Sequence, residues 1–444
     1  MKVRLKKAIE VLSDTFWVLP GTMAFAGIIL AMALVHADRS GNLPAWLLDS
    51  TWLYNGGSTG ARTLLGAVAS STIGVAGTVF SITIAALSLA AGQMGPRLLR
   101  NFTKDRGNQV TLGVFLGTFS YSLMVLRTVR AQDEGAFVPH LSLTVGIGLA
   151  FVCVGTLVYF VGHMAGRINV DTVIDLVSDD VGRSFERLTV AEPERDPPPL
   201  IFWRDAAPVL DGRRGYLQQL DAEGLAAWAG ENDTSIRLLV RPGDYVFPGT
   251  PIALVRPMVK DVEDAILRAT ALGPQRGSSA DIEFAIRQLV EVAVRALSPG
   301  INDPLTAISV VDHLGAALCD LVPRHLRTGV VIEEGRPVLI VPSVDYDGLV
   351  DTMFHMIRQN GSGSTAVLAR MLDALTAVVS IERNPARGAT LLRHANLLLD
   401  DAIRDIASPA DLDDIRQRYG GFVAMRDHGP FGCLEAMAKA LPVK

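Results

Sequence analysis

The sequence predicts a membrane α-helical protein, with four transmembrane helices followed by a cytosolic α+β region that includes a small β module. Three observations carry that expectation. No charged residue falls between Arg62 and Arg97, and an apolar stretch of that length exceeds the ~20 residues a helix needs to cross ~30 Å of hydrocarbon. Apolar runs crowd into the first third of the 444-residue chain, and the remainder has the mixed charge of a globular domain. Within that remainder, short alternating runs around a Pro-Gly-Asp turn at 242–244 read as strands.

Residues 1–15 are basic, with Lys2, Arg4, Lys6 and Lys7 ahead of an apolar run from Phe16 to Val35. A cleaved signal peptide is the rival reading, with Val35-His36-Ala37 as its cleavage site. The run is longer than a signal core and more spans follow, so a retained helix is expected. Pro20-Gly21 kinks it or sets its first turn. The loop Asp38 to Thr59 holds Trp46, Trp52 and Tyr54, which suit a membrane interface. A second span covers Leu64 to Gln93, a third Val110 to Leu126 and a fourth Leu141 to Met164, completing a domain over 16–166.

Cation placement sets the expected orientation. Lys2 to Lys7, the cluster Arg97, Arg100, Lys104 and Arg106, and Arg167 fall on one side; Arg39, Arg62, Arg127 and Arg130 fall on the other. Positive residues favour the cytoplasm, so both the N-terminus and everything after Arg167 are expected there.

A helical stalk with a Pro-rich linker is expected at 167–200, its apolar spacing running through Ile168, Val173, Ile174, Val177 and Val181. A β-rich module is expected at 201–258 and a mainly helical α/β domain at 259–444. GVVIEEGRPVLIVPS (329–343) reads as a hairpin turning at Glu334-Gly335. The module's pattern V-x-P-G-D-x-V-x-x-G-x-P-I resembles the half-repeat of biotinyl/lipoyl-type barrel-sandwich domains. Met258 and Lys260 match the cofactor-carrying hairpin only loosely, so a barrel-sandwich-like scaffold without cofactor is expected.

Composition excludes some function classes. With 41 Lys+Arg against 46 Asp+Glu, no nucleic-acid footprint is present. Cys153, Cys319 and Cys433 lie far apart with no CxxC, which argues against a disulfide framework or a zinc site and suits a reducing compartment. No nucleotide-binding or hydrolase motif stands in a suitable strand–helix setting. GSGSTAVL (361–368) lacks the Lys of a phosphate-binding loop. No catalytic residue, cofactor or metal is expected.

Two stretches stand out as functional candidates. On the second span, Ser71, Gly74, Thr78, Ser81 and Ser88 recur with Ala67, Ala85 and Gly92 at three- and four-residue steps. Such a face permits close helix packing or, repeated around an oligomer, lines a wetted pore. Arg97 and Arg100 at one end, and Arg127 and Arg130 at the end of the third span, either contact lipid headgroups or ring a pore mouth. Gly113/Gly117 and Gly148/Gly155/Gly162 read as packing seams, and His163 as a helix-end group. In the soluble part, Glu283, Arg287, Glu291 and Arg295 form an ion-pair ladder on one helix face. With Asn302 and Asp303 that face is a candidate subunit interface; Asp303 also reads as an N-cap with Pro304 at N1.

QMGPRLLRNFTKDRGNQVTLGVFLGTFSYSLMVLRTVR (93–130), RPGDYVFPGTP (241–251) and LSPGINDPLTA (297–307) together resemble a family of bacterial membrane proteins catalogued as domain of unknown function 2254. Met94-Gly95 departs from its pattern. The resemblance implies a protein of the bacterial inner (plasma) membrane with this topology, and it implies no activity or catalytic residue.

The leading expectation is an oligomeric channel or pore-forming transport protein for inorganic ions. Its partners would be the lipid bilayer and further copies of the chain, and its path would be the second-span face. The alternative is a membrane-anchored signalling or scaffolding protein, recognisable by a cytosolic pocket with convergent polar groups. An enzyme is the weakest class.

Overall fold

The computed structural model describes residues 16–40, 56–95, 105–130, 137–276 and 281–440. The basic N-terminus, Trp46, Trp52, Tyr54, Arg97, Arg100 and Lys104 lie outside the described residues. The chain divides into two units, 7–169 and 170–444.

Among the described residues the first unit holds four helices: α1 (Val18–Ser40), α2 (Ser58–Met94), α3 (Arg106–Thr128) and α4 (His140–Ile168). At 1.5 Å per residue α2 alone is about 55 Å long, well beyond the hydrocarbon thickness. The α3 helix packs against each of the other three. Glycine explains its tight approach to α1: Gly113 is covered by Met23, and a Cβ on Gly27 would strike the Gly117 carbonyl. This GxxxG is a packing seam, as small residues are between membrane helices. Gly148, Gly155 and Gly162 are not a seam within the protomer, because nothing lies within 4 Å of where their Cβ atoms would stand. They share the outer surface of α4 with exposed Phe151, Val152, Val158 and Val161.

Two carboxylates staple the helix ends. Asp38 lies inside α1 rather than in the following loop, and its oxygens accept from the Leu141 and Ser142 amides (3.1 and 3.0 Å) and the Ser142 hydroxyl (2.6 Å). Those amides are orphan donors at the start of α4. Satisfying them with a negative charge at a helix N-terminus is favourable, which accounts for α1 continuing past the apolar run. Asp105 caps α3 through the Gly107 amide (3.0 Å) and meets His163 Nε2 of α4 at 2.6 Å.

Five helices among the described residues, not four, are long and apolar enough to cross a membrane: α1 to α4 and Pro304–Leu321. The last belongs to the second unit.

That unit begins with α5 (Val170–Leu188), after Asn169 departs from helical geometry (φ −69°, ψ 125°). Helical geometry is thus interrupted at Asn169, between α4 and α5. Val173, Ile174, Val177 and Val181 are buried, and α5 packs on α8 (Ile282–Ala296) and α9 (Pro304–Leu321). Packing of α5, α8 and α11 (Thr365–Ile381) around α9 explains its apolar composition. Asp303 caps α9 through the Leu305 and Thr306 amides, with Pro304 leading the helix, as its sequence predicts.

The strands are β1 (Thr189–Val190), β2 (Ala207–Asp211), β3 (Gly215–Leu220), β4 (Ser235–Leu238), β5 (Tyr245–Val246), β6 (Thr250–Arg256), β7 (Thr270–Gly273), β8 (His325–Leu326), β9 (Val330–Glu333) and β10 (Arg336–Ile340). They pair as a five-stranded sheet, β2-β6-β4-β10-β9, a three-stranded sheet, β5-β3-β7, and the pair β1-β8. No barrel closes among the described residues, which corrects the barrel-sandwich expectation. Its turns exist: Gly243 and Gly249 take positive φ (101° and 81°), where glycine is unstrained. The partners differ, because β4 is joined in parallel by β10, with Leu339 opposite Ile236, and β3 pairs instead with β5 and β7. Helices α6 (Ala222–Glu231) and α7 (Val262–Ala269) help fill the core with Leu225, Ala229 and Ile266, alongside Ile236, Leu238, Val255 and Leu339. The β9–β10 turn falls at Glu334 and Gly335, both at positive φ (49° and 80°), the geometry that two-residue hairpins favour. Helices α10 (Tyr346–Gly361), α12 (Pro385–Asp405) and α13 (Pro409–Ala440) complete the unit with α11.

Candidate functional site

Helical spacing puts two small-residue stripes on opposite sides of α2. One contains Ala61, Leu65, Ala69, Thr72, Ala76, Val79, Thr83 and Ala86, and all eight are buried. The other contains Ala67, Ser71, Gly74, Thr78, Ser81, Ala85, Ser88 and Gly92, and all eight are exposed among the described residues. At 100° per residue the centres of the two stripes are about half a turn apart. Sequence reasoning found the outer stripe and missed the inner one, whose 4-4-3-4-3-4-3 spacing is equally regular.

The outer stripe is polar but self-contained. Ser71 Oγ donates to Ala67 O (2.6 Å), Thr78 Oγ1 to Gly74 O (3.2 Å) and Ser81 Oγ to Gly77 O (2.9 Å). Each hydroxyl proton is thus engaged by the helix, and each oxygen keeps acceptor lone pairs. Nothing lies within 4 Å of a Cβ built on Gly74 or Gly92, so another helix can come close. Exposed Ile73, Phe80 and Ile84 flank the stripe on one side, Ile82 and Leu89 on the other. The result is a narrow polar band set in an apolar surface.

Behind α2, α3 carries a buried polar seam that the sequence reading did not identify. Among the described residues, neither amide atom of Asn108, nor Thr111 Oγ1, nor Ser122 Oγ has a hydrogen-bond partner. Thr118 lies between them and accepts from Cys153 Sγ of α4 at 3.3 Å. The signal was the three- and four-residue recurrence of polar side chains in NQVTLGVFLGTFSYS (108–122).

The remaining candidates fall in other places. Arg127 and Arg130 are exposed at the C-terminal end of α3, where a cation complements the helix dipole. The Arg130 amide donates to Phe137 O (3.2 Å), and the Arg39 guanidinium lies over the Phe137 ring (5.4 Å). His163 is tied to Asp105 rather than turned to solvent as a free helix-end group. In the second unit Arg287 pairs with buried Glu283 (2.8 Å), which also receives Arg241 (2.8 Å) and Arg276 (3.2 Å). Glu291 and Arg295 are half-buried further along α8, and Asn302 is exposed at φ 52°. The carboxylate of Asp303 is engaged as the α9 cap. Met258 and Lys260 are exposed between β6 and α7.

The second unit also holds a cavity of about 340 Å³. Its walls are mainly apolar, among them Leu220, Ile282 and Val331, and Arg241, Arg327, Glu194 and Asp281 supply charge. Arg241 gives Nη2 to Glu283, while its Nη1 is buried without a partner.

Comparison with known proteins gives a family and no activity. A family model described as "Predicted membrane protein (DUF2254)" matches residues 13–377. An uncharacterized protein of Mycobacterium tuberculosis is 33% identical over 433 residues, covering 92% of this chain and 80% of its own length. An uncharacterized protein of Mycobacterium bovis matches with the same identity and coverage. No solved structure matches significantly.

Proposed function

Because the chain belongs to the DUF2254 family of predicted membrane proteins, and that description carries no activity, we propose a function from its own geometry: an oligomeric channel or pore-forming transport protein for inorganic ions. It spans the bacterial inner membrane four times, through α1 to α4, with both termini and the second unit in the cytoplasm. Several copies surround a path lined by Ser71, Gly74, Thr78, Ser81 and Ser88. One observation carries the reading: the hydroxyl- and glycine-bearing stripe of α2 faces away from its own protomer while the opposite stripe is buried. A single protomer leaves that polar band uncovered. A ring of copies would turn it inward and leave the large apolar residues of α4 to lipid. Hydroxyl oxygens with free lone pairs suit ions that shed part of their hydration.

Thiol accessibility tests this directly. In a chain whose three native cysteines are replaced, Ser71→Cys, Thr78→Cys and Ser81→Cys should react with a membrane-impermeant reagent. Thr72→Cys and Thr83→Cys on the buried stripe should not. Silence along both stripes in a folded, inserted protein would overturn the reading.

The cavity beside Arg241 favours a second reading, a membrane-anchored signalling or scaffolding protein whose cytosolic unit binds a partner or small ligand. Pockets of this size, apolar with a few convergent polar groups, are the usual form of ligand sites. The same thiol experiment separates the two, since modification along α2 leaves a mere anchor unexplained.

A further inference from the structure

Asp351 and His355 stand one turn apart on α10, and His394 faces them from α12. His394 Nε2 lies 2.9 Å from Asp351 Oδ1, and His355 Nε2 lies 3.1 Å from the same atom. The three prospective ligand atoms fall within 4.8 Å of one another. We propose that Asp351, His355 and His394 form a binding site for a borderline divalent cation, of which Zn²⁺ is the type, and that the cation clamps α10 to α12.

The donor chemistry selects the ion class. Two imidazole nitrogens and one carboxylate oxygen suit zinc and its neighbours rather than calcium or magnesium, which take oxygen sets. Ligand atoms about 2.0–2.1 Å from a tetrahedral zinc stand ~3.3 Å apart. The two separations from Asp351 Oδ1 therefore need only a few tenths of an ångström of opening, and the two imidazole nitrogens lie within 4.8 Å of each other. His394 is almost fully buried, whereas Asp351 and His355 are about a third exposed. The cation can enter from water and keep a water ligand in the open fourth position.

Nδ1 of His355 and Nδ1 of His394 are both buried without partners, so both rings make their polar contacts through the Nε2 atoms that converge on one oxygen. Arg393 Nη2 also donates to Asp351 Oδ1 (2.6 Å), and it reaches Asp347 at 3.4 Å. On metal binding Asp347 offers it an alternative partner. Its positive charge opposes the cation, so the site is weaker than one with neutral surroundings. Such a clamp has no bearing on conduction through α2, and its test is separate.

The test uses untagged, full-length protein in detergent, stripped with a chelator and dialysed against Zn²⁺ alone. The expected result is one zinc per chain and a raised unfolding temperature. Asp351→Asn and His355→Gln alter half-exposed groups, so the fold should survive. Each should weaken zinc binding by at least about tenfold, the smallest loss common when even a supporting group of a metal ligand is removed. Visible absorption of the Co²⁺ form, lost in the same variants, checks nitrogen ligation. Failure of the wild-type chain to retain stoichiometric zinc, or equal retention by both variants, would overturn the site.

Discussion

The two units of this chain bury polar side chains in contrasting ways. In the C-terminal unit buried charges come with opposite charges: Glu283 has Arg241, Arg276 and Arg287 around it, and Asp401 is paired with Arg358. In the unit of α1 to α4, buried Asp105 meets His163. The α3 seam there buries neutral side-chain atoms of Asn108, Thr111 and Ser122 without a hydrogen-bond partner among the described residues, as the C-terminal unit does with Trp203, Gln288 and Tyr346. The first arrangement is what a globular core does with charges it cannot expose. The second leaves desolvation uncompensated, at about 1–3 kcal/mol for each group. The contrast teaches that the C-terminal unit surrounds a buried acid with several arginines, while the membrane unit uses single carboxylates, Asp38 and Asp105, to join helix ends.

The largest effect should come from breaking the charge network. Glu283→Ala leaves three guanidinium groups facing a vacated acid, and losing one partner of a buried ion pair costs about 3–5 kcal/mol. A marked fall in unfolding temperature is therefore expected. The acid dependence follows from the carboxyl itself. Burial raises its pKa, but Arg287 and Arg241 outweigh burial and hold it below the usual carboxylate range. A carboxyl lowered on folding contributes stability above its unfolded pKa and loses it as pH falls through the folded value. The gap between wild type and variant should thus narrow in acid. An undiminished gap would mean that packing, not charge, accounts for the loss.

Substitution in the seam should have the smallest effect. Asn108→Leu keeps the side chain's approximate volume and removes an amide with no partner, so stability should hold within about 1 kcal/mol or rise. A large loss would show that Asn108 has a structural partner.

Local features were legible in the sequence, and long-range pairings were not. Helices α1 to α4 lie where their apolar runs predict, whereas the fifth helix long and apolar enough to cross a membrane, α9, was not expected as one. The Glu334-Gly335 turn and the Asp303-Pro304 helix start are encoded within a few residues and appear as read. Asp38, by contrast, finds its donors at Leu141 and Ser142, and β4 finds β10 more than ninety residues on. Neither pairing leaves a local trace. The barrel-sandwich expectation failed for that reason, since its turns were real but its strands had other partners. On α2 the outer stripe drew notice through its serines and threonines, whereas the alanine-rich inner stripe resembles ordinary span composition. The Asp351, His355 and His394 cluster stayed hidden because its halves lie on different helices. Its i,i+4 acid–histidine pair looks like any exposed helix face.

The central claim is that the outer stripe of α2 faces an ion path, and ion flux into liposomes tests it most directly. Purified wild-type protein should carry ions across the membrane as an oligomer. The double variant Thr78→Leu/Ser81→Leu should abolish that flux at unchanged oligomeric mass, because two leucines replace hydroxyls with bulk on the lining face. Undiminished flux through the double variant would contradict the account and remove α2 from the path.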